Sequence, residues 1–248
     1  MSLHSTSPTE QAFKRTLAWF EHTLGFQERP RPDIHGAMLS LADPEVVART
    51  SQALCAAWHR GERVWLTADL HLGHRNVLSY CDRPFADAQA MDAALVCQLG
   101  KVGVDDWLVI VGDVALGDHT LAFPLLRAIP GRKVLVVGNH DITRSGRCHY
   151  LDALQEDGTP VFEAVVPFLC WEGHAEQSVV VSHYPLQLPQ ALEEADAGRG
   201  QDPDRYGPDR PLPLLNYHGH LHRDQWPPTA HIQHVNVGWD VTQGLVCL

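Results

Sequence analysis

The chain has 248 residues, of which 44% are hydrophobic and 20% charged, a composition typical of a globular protein with a substantial core. Its 30 acidic and 19 basic residues give a net charge of −11, which disfavours a broad electrostatic grip on duplex DNA or RNA. No segment approaches the roughly 18 apolar residues of a membrane helix, and the N-terminus lacks a signal-peptide pattern. We therefore expect a cytoplasmic protein, and we expect its six scattered cysteines to be reduced thiols.

The first part of the chain predicts two helices. Residues 7–10 form a capping box with proline at the first helical position, and an apolar stripe at helical spacing then runs to Gly25. The members of the stripe are Phe13, Leu17, Phe20 and Leu24. Residues 30–33 have the composition of a linker, and a second helix is expected from Asp43 to Gly61.

These features predict two parts of the chain. Residues 1–60 would form an N-terminal helical extension, and residues 61–248 would form the main domain. The extension would pack on the core of the main domain, or it would provide a dimer contact or a lid. The oligomeric state stays open between a monomer and a homodimer.

Several apolar runs after residue 60 predict buried strands. They cover residues 64–68, 107–111, 133–137, 178–182 and 217–219. Each run is followed, directly or after one glycine, by carboxylate, amide or imidazole side chains. Because sites in α/β proteins collect at the carboxyl ends of strands, we expect these side chains to lie close together.

The polar residues form five short motifs in a fixed order. They are Asp69-Leu70-His71, Gly112-Asp113, Gly138-Asn139-His140-Asp141, Ser182-His183 and His218-Gly219-His220-Leu221-His222. Their oxygen and imidazole donors, with no thiolate, are suited to divalent ions. Two such ions a few ångströms apart favour in-line attack at phosphorus. The sequence therefore predicts two divalent metal ions; Mn is the first expectation, and Fe, Zn, Ni, Co and Mg are alternatives.

The order of these motifs and the residues that compose them resemble those of the calcineurin-like metallophosphoesterase superfamily over roughly residues 63–240. Within it, residues 71–85 and 236–241 are similar to a small bacterial branch of phosphoesterases. The resemblance implies a four-layer α/β/β/α sandwich and hydrolysis of phosphomonoesters or phosphodiesters. Asp113 is followed by residues 114–117, Val-Ala-Leu-Gly, instead of a second Asp and Arg-Gly. This departure counts against a protein serine/threonine phosphatase.

The resemblance also implies roles for individual residues. One metal would be held by Asp69, His71 and His222, and the other by Asn139, His183 and His220. Asp113 would bridge both ions, and the nucleophile would be a hydroxide that bridges them. Asp113 and Asn139 would thus take part in catalysis together with His140, which is the candidate general acid for the leaving oxygen.

Other polar residues near the motifs are candidates for substrate contact. They are His74, Arg75, Asn76, Arg83, Arg144 and Arg147. Asp141 would either orient an imidazole or cap a turn. Residues 187–213 predict an irregular segment, which is either a solvated loop or a substrate lid that carries Arg199, Arg205 or Tyr206.

The leading interpretation is a metal-dependent phosphohydrolase, a phosphodiesterase that acts on a nucleotide or another small phosphoester. One alternative is a nuclease for nucleic-acid ends or single strands. Such a nuclease would need a basic surface with aromatic side chains for base stacking, and none is evident in the sequence. The arginines are scattered, and Trp171, Trp226 and Trp239 are not clustered with charged residues in the sequence. The other alternative is a non-catalytic scaffold of the same fold that binds a partner through its N-terminal helices. A nucleic-acid partner thus remains possible without being favoured.

Overall fold

The computed structural model describes residues 7–27, 31–173, 177–188, 214–223 and 232–248. Its helices are α1 Pro8–Gly25, α2 Pro32–Ser40, α3 Pro44–His59, α4 Val77–Tyr80, α5 Ala88–Leu99, α6 Ala122–Ala128 and α7 Trp239–Thr242. Its strands are β1 Val64–Thr67, β2 Trp107–Ile110, β3 Arg132–Val136, β4 Ala164–Val166, β5 Phe168–Glu172, β6 Ser178–Ser182, β7 Leu214–His218, β8 Ile232–Asn236 and β9 Val246–Cys247. The suggested lid residues Arg199, Arg205 and Tyr206, and also Trp226, lie outside the described residues.

Two mixed sheets form the centre of the molecule. The first has the order β4-β3-β2-β1-β9 and the second has the order β5-β6-β7-β8. Strands β1 to β4 are mutually parallel, as are β6 to β8, whereas β9 and β5 join their sheets antiparallel. Two sheets flanked by helices confirm the predicted α/β class, and the five predicted strands correspond to β1, β2, β3, β6 and β7.

The two sheets meet at the carboxyl ends of their strands. Beyond β1, Ala68 forms an isolated parallel bridge with Gly238, which follows β8. The Ala68 N–H donates to the Val237 carbonyl at 3.1 Å, and the Trp239 N–H donates to the Ala68 carbonyl at 2.9 Å. The loops that follow the strands of both sheets are therefore held beside one another.

Both helices predicted at the N-terminus are present. The Ser7 hydroxyl accepts a hydrogen bond from the Glu10 N–H at the start of α1, and the Asp43 carboxylate accepts from Glu45 and Val46 at the start of α3. Helix α2 was missed, because Pro32 was interpreted as part of a linker. Proline is tolerated in the first turn of a helix, where its missing N–H has no intrahelical partner, and Pro32 occupies that position.

The N-terminal helices pack on the second sheet. The Phe13 and Phe20 rings of α1 lie 5.7 Å and 5.5 Å from the ring of Phe168 in β5. The Ser51 hydroxyl of α3 accepts a hydrogen bond of 3.0 Å from the Cys170 N–H. These side chains belong to one continuous apolar core with the strands. The division of the chain at residue 60 remains a proposal.

In the part of the chain that the structure describes, no helix combines the length and the apolar character needed to cross a lipid bilayer.

Candidate metal centre

The predicted site residues come from loops at the carboxyl ends of five strands. Asp69 and His71 follow β1, Asp113 follows β2, and Asn139 and His140 follow β3; from the second sheet, His183 follows β6, and His220 and His222 follow β7. The parallel pairing of β1 with β2 and β3, and of β6 with β7, brings these loops to one edge of each sheet. Because the sheets are bridged at that edge, the loops form one site.

Four site residues have an unusual backbone conformation. Positive φ angles of 56°, 51°, 55° and 67° occur at Asp69, His71, Asp113 and His220. The left-handed region is disfavoured for residues other than glycine and costs of order 1–3 kcal/mol where the surroundings impose it. Here hydrogen bonds between loops impose it, since Asp69 N–H donates to the Gly112 carbonyl at 3.1 Å and His71 N–H to the Asp113 carbonyl at 3.0 Å.

Two glycines allow these loops to approach closely. A Cβ atom on Gly112 would overlap with the His183 ring and would lie 2.7 Å from the Gly138 Cα. A Cβ atom on Gly138 would overlap with the Asp113 carboxylate. Both positions therefore require glycine, because the absence of a Cβ atom lets the backbones of these loops approach one another.

Two overlapping groups of side chains could hold metal ions. The first contains Asp69, His71 and His222, and the second contains Asp69, Asp113 and His183; within each group the donor atoms lie within 4.8 Å of one another. The Asp113 Oδ2 atom lies 3.8 Å from His71 Nε2 and 3.5 Å from His183 Nε2. Asp69 thus belongs to both groups, and Asp113 of the second group also lies near His71 of the first.

Asn139 and His220 lie beside the second group. The Asn139 Oδ1 atom is 3.2 Å from His183 Nε2, and the His220 ring centroid is 5.2 Å from that of His183. The His220 N–H also donates to Asp69 Oδ1 at 3.1 Å. The structure therefore brings together all seven residues for which the sequence predicted a ligand role.

The chemistry of the donor atoms fits divalent metal ions. Asp69 Oδ2 and both ring nitrogens of His71 are buried without a hydrogen-bond partner among the described residues. Leaving such a group unpaired costs of order 1–3 kcal/mol, more for a charged one, so these atoms require a cation or another polar partner. His183 Nδ1 lies 2.9 Å from the Val111 carbonyl. With the proton on Nδ1, this bond leaves the Nε2 lone pair directed into the site.

The electrostatics of the site also favour a cation. Burial raises the pKa of Asp69 to about 6 and lowers the pKa of His71 and of His220 to about 3. Both imidazoles are therefore neutral near pH 7, the form that binds metals. Burial also lowers the pKa of His183, but the Asp113 carboxylate outweighs burial and raises that pKa to about 10. A positive charge beside Asp113 is thus favoured in the metal-free protein.

One correction concerns Arg83, which was a candidate for substrate contact. Its side chain is fully buried and forms a bidentate pair with Asp240, with both N–O distances 2.7 Å. The same guanidinium donates to the carbonyls of Leu70 at 2.8 Å and Asp69 at 2.7 Å. Asp240 Oδ2 in turn lies 2.6 Å from His222 Nδ1. Arg83 and Asp240 therefore position His222 and the Asp69 loop, and Arg83 does not face a substrate.

Cys81, His222 and Asp240 form a third group with metal-ligand spacing. This group is a poor metal site, because the Asp240 carboxylate is already engaged by the Arg83 guanidinium. Burial also raises the pKa of the Cys81 thiol to about 11, which disfavours the thiolate that a metal would bind.

Asp141 caps a turn and does not orient an imidazole. Its carboxylate accepts hydrogen bonds from the N–H groups of Asp113 at 3.0 Å, Val114 at 3.0 Å and Gly138 at 2.8 Å. These bonds tie the loop after β2 to the loop after β3. Of the two alternatives for this residue, the capping role is the one that these bonds match.

His140 lies at the open side of the site. Its Nε2 atom is 3.9 Å from Asp113 Oδ2, its ring is 5.6 Å from that of His71, and its side chain is 30% exposed.

The His74 ring lies 6.0 Å from that of His71. Arg75, Asn76 and Arg144 are exposed on the surface, and exposed Arg147 pairs with Asp152 at 2.8 Å.

A cleft of about 650 Å³ opens beside the site. It is lined by Phe26, Gln27, Arg31, Asn139, Tyr184, Pro185, Gln187, His220, Leu221 and Arg223.

Sequence reasoning missed Arg31, since it lies in the segment interpreted as a linker and far along the chain from every motif. It also missed the role of Asp240, although that residue belongs to the stretch near the C-terminus that resembles the bacterial branch.

Comparisons with known proteins give short matches to curated relatives. An uncharacterized protein, MJ1445, from Methanocaldococcus jannaschii is 33% identical over 82 residues, which cover 32% of this chain and 47% of that protein. The gene 66 protein of Mycobacterium phage L5 is 39% identical over 84 residues, which cover 31% of this chain and 39% of that protein. The chain thus matches less than half the length of each of these relatives.

Two solved structures are also similar. AQ665 from Aquifex aeolicus, a protein of unknown function, is 20% identical with a TM-score of 0.49, and the match covers 75% of this chain and 95% of that one. A phosphopantetheinyl hydrolase from Mycobacterium tuberculosis is 16% identical with a TM-score of 0.29, and the match covers 71% of this chain and 89% of that one. At TM-scores below 0.5, neither likeness establishes a shared activity.

The family comparison covers most of the chain. The model of the calcineurin-like phosphoesterases matches residues 62–224, which include the motifs of both sheets from Asp69 to His222. The chain therefore belongs to the calcineurin-like phosphoesterase family.

Proposed function

We propose that this protein is a two-metal-dependent phosphohydrolase, and specifically a phosphodiesterase that acts on a nucleotide or another small phosphoester. The observation that carries the proposal is the cluster of buried, unpartnered donor atoms on Asp69 and His71 beside Asp113 and His183. Membership of the calcineurin-like phosphoesterase family supports the same reaction class.

In this proposal, Asp69, His71 and His222 would hold one metal, and Asn139, His183 and His220 would hold the other. Asp113 would serve as a ligand to both. When bound, divalent ions supply positive charge for the phosphate oxygens and lower the pKa of water toward neutrality. Mn is proposed first, because mixed oxygen and nitrogen ligands without thiolate suit it, although such a set also accepts Fe, Zn, Ni, Co or Mg.

The chain's own groups would orient the ester and move a proton. The Asn139 amide can direct its oxygen toward a cation and its nitrogen toward a phosphate oxygen. His140, at the open side of the site, would donate a proton to the leaving oxygen, a step worth typically ~10²–10⁴-fold. Half-buried His74 and the exposed residues Arg75, Asn76 and Arg144 remain proposed contacts for the rest of the substrate.

The reaction class is tested with metal-stripped protein to which single metals are restored. We expect metal-dependent hydrolysis of bis-p-nitrophenyl phosphate, with faster turnover than of p-nitrophenyl phosphate. Asp113→Asn should abolish this activity, because it removes the charge between the two groups of ligands. Asp105→Asn, which makes the same change at an exposed carboxylate before β2, is the matched control. Folded protein that hydrolyses neither ester with any metal would contradict the proposal.

The role of His140 is tested by varying the leaving group. His140→Gln should slow hydrolysis of alkyl phosphodiesters by ~10²–10⁴-fold, because an alkoxide needs a proton as it leaves. The same variant should slow hydrolysis of p-nitrophenyl esters much less, because p-nitrophenolate leaves without a proton. Equal losses on both classes, or a loss of bound metal, would assign His140 another role.

The role of Asp240 is tested by metal affinity. Asp240→Asn should weaken binding of the metal at His222 by about 10–100-fold, since the carboxylate orients that imidazole. Calorimetric titration of metal into stripped protein measures this change, with exposed Asp82→Asn as the control. Unchanged affinity in a folded Asp240→Asn protein would mean that His222 does not bind the metal.

A further inference from the structure

Residues that directly follow helix α1 and directly precede helix α2 form one wall of the cleft beside the candidate metal centre. Phe26 and Gln27 follow helix α1, and Arg31 precedes helix α2. The opposite wall comes from residues after β6 and β7, and Asn139 and His220 belong both to the cleft and to the candidate metal centre. A phosphoester bound at the metals would therefore extend its remaining groups toward the N-terminal helices.

This wall is held in place by direct contacts. The Gln187 N–H, four residues after His183, donates to the Thr23 hydroxyl of α1 at 2.9 Å. The His35 ring of α2 packs edge-on against Tyr184, with centroids 5.9 Å apart. Tyr184 also packs against the His220 ring at 4.5 Å. Packing thus connects the extension to the metal-site loops, so the wall is part of the site.

The charge of the cleft is unlike that of the whole chain. Arg31 and Arg223 line it and are exposed, and no carboxylate is among its described lining residues. The ion pairs of the described residues do not include either arginine. Although the whole protein has a net charge of −11, two guanidinium groups that line the same cleft favour the binding of an anion there.

The remaining lining is apolar. Phe26 is 60% exposed, and Pro185 and Leu221 contribute further apolar surface. An apolar or planar group of the substrate can pack on this surface. A volume of about 650 Å³ lies within the range of small-molecule sites, which run from roughly 300 to 1,000 Å³.

We propose that this cleft binds a second anionic group of the substrate, held by Arg31 and Arg223, while the scissile phosphoester occupies the metal centre. The substrate class is then a nucleotide-sized phosphoester that carries at least one further phosphate. This inference rests on the proposed phosphohydrolase function and adds to it the substrate feature that the enzyme selects. The guanidinium fork matches two oxygens of a phosphate group, which gives this contact its specificity.

Binding is measured first, since it needs no turnover. Calorimetry compares adenosine 5′-monophosphate with adenosine 3′,5′-bisphosphate on Mn-loaded protein. We expect the wild type to bind the bisphosphate at least about tenfold more tightly, and Arg31→Gln and Arg223→Gln each to remove most of that preference. Arg31→Lys should restore part of it, because lysine keeps the charge without the fork. Lys14→Gln, which removes a positive charge from α1 away from the cleft, should leave it unchanged.

Turnover is measured second, with thymidine 5′-p-nitrophenyl phosphate and its 3′-phosphorylated form. The 3′-phosphate should raise kcat/KM in the wild type and in Lys14→Gln, and it should not raise kcat/KM in Arg31→Gln. Equal binding of the two adenosine nucleotides by the wild type, or an unchanged preference in the double variant Arg31→Gln/Arg223→Gln, would overturn the subsite. An intact binding preference without hydrolysis of any ester would support the subsite and contradict only the hydrolytic function.

Discussion

The burial of Asp69 and Asp113 side by side is the constraint on which the site depends. Both carboxylates are almost fully buried, and both belong to one group of potential metal ligands within 4.8 Å. Two such charges repel one another and lose their hydration, which is costly in a protein interior without compensating cations. His183, with its pKa raised to about 10 by Asp113, supplies one positive charge in the metal-free protein. Divalent ions bound at the site would replace that proton on His183 and supply the remaining positive charge, and one of them would also bind a ring nitrogen of His71.

Much of the surrounding structure holds this arrangement together. The Asp141 carboxylate joins the loop of Asp113 to that of Gly138, and the Arg83 guanidinium joins the loop of Asp69 to Asp240. Backbone strain at the left-handed residues is maintained by these bonds and by glycines where loops approach most closely. The rigid sheets fix the direction from which each ligand enters. The protein's own hydrogen bonds thus fix the loops that carry the ligand residues, which keeps the cost of reorganisation low.

The sequence predicted the strands and the clustering of ligand-type residues because both are encoded locally. Apolar runs mark β1, β2 and β3, and each ends directly before a motif. Contacts between distant segments could not be found in this way. The burial of Arg83 depends on Asp240, and the position of Arg31 depends on helix packing against Tyr184 and its neighbours. Helix α2 was missed because Pro32 is compatible with both a linker and a helix start.

The central claim is that two metal ions bind around Asp69 and Asp113. The most direct measurement is an anomalous difference map from crystals of the protein grown with Mn²⁺. The account predicts two peaks about 3.5–4 Å apart, with Asp113 between them and His71 and His183 on opposite sides. A map with no peak at this site, or with one ion bound only by surface carboxylates, would contradict it.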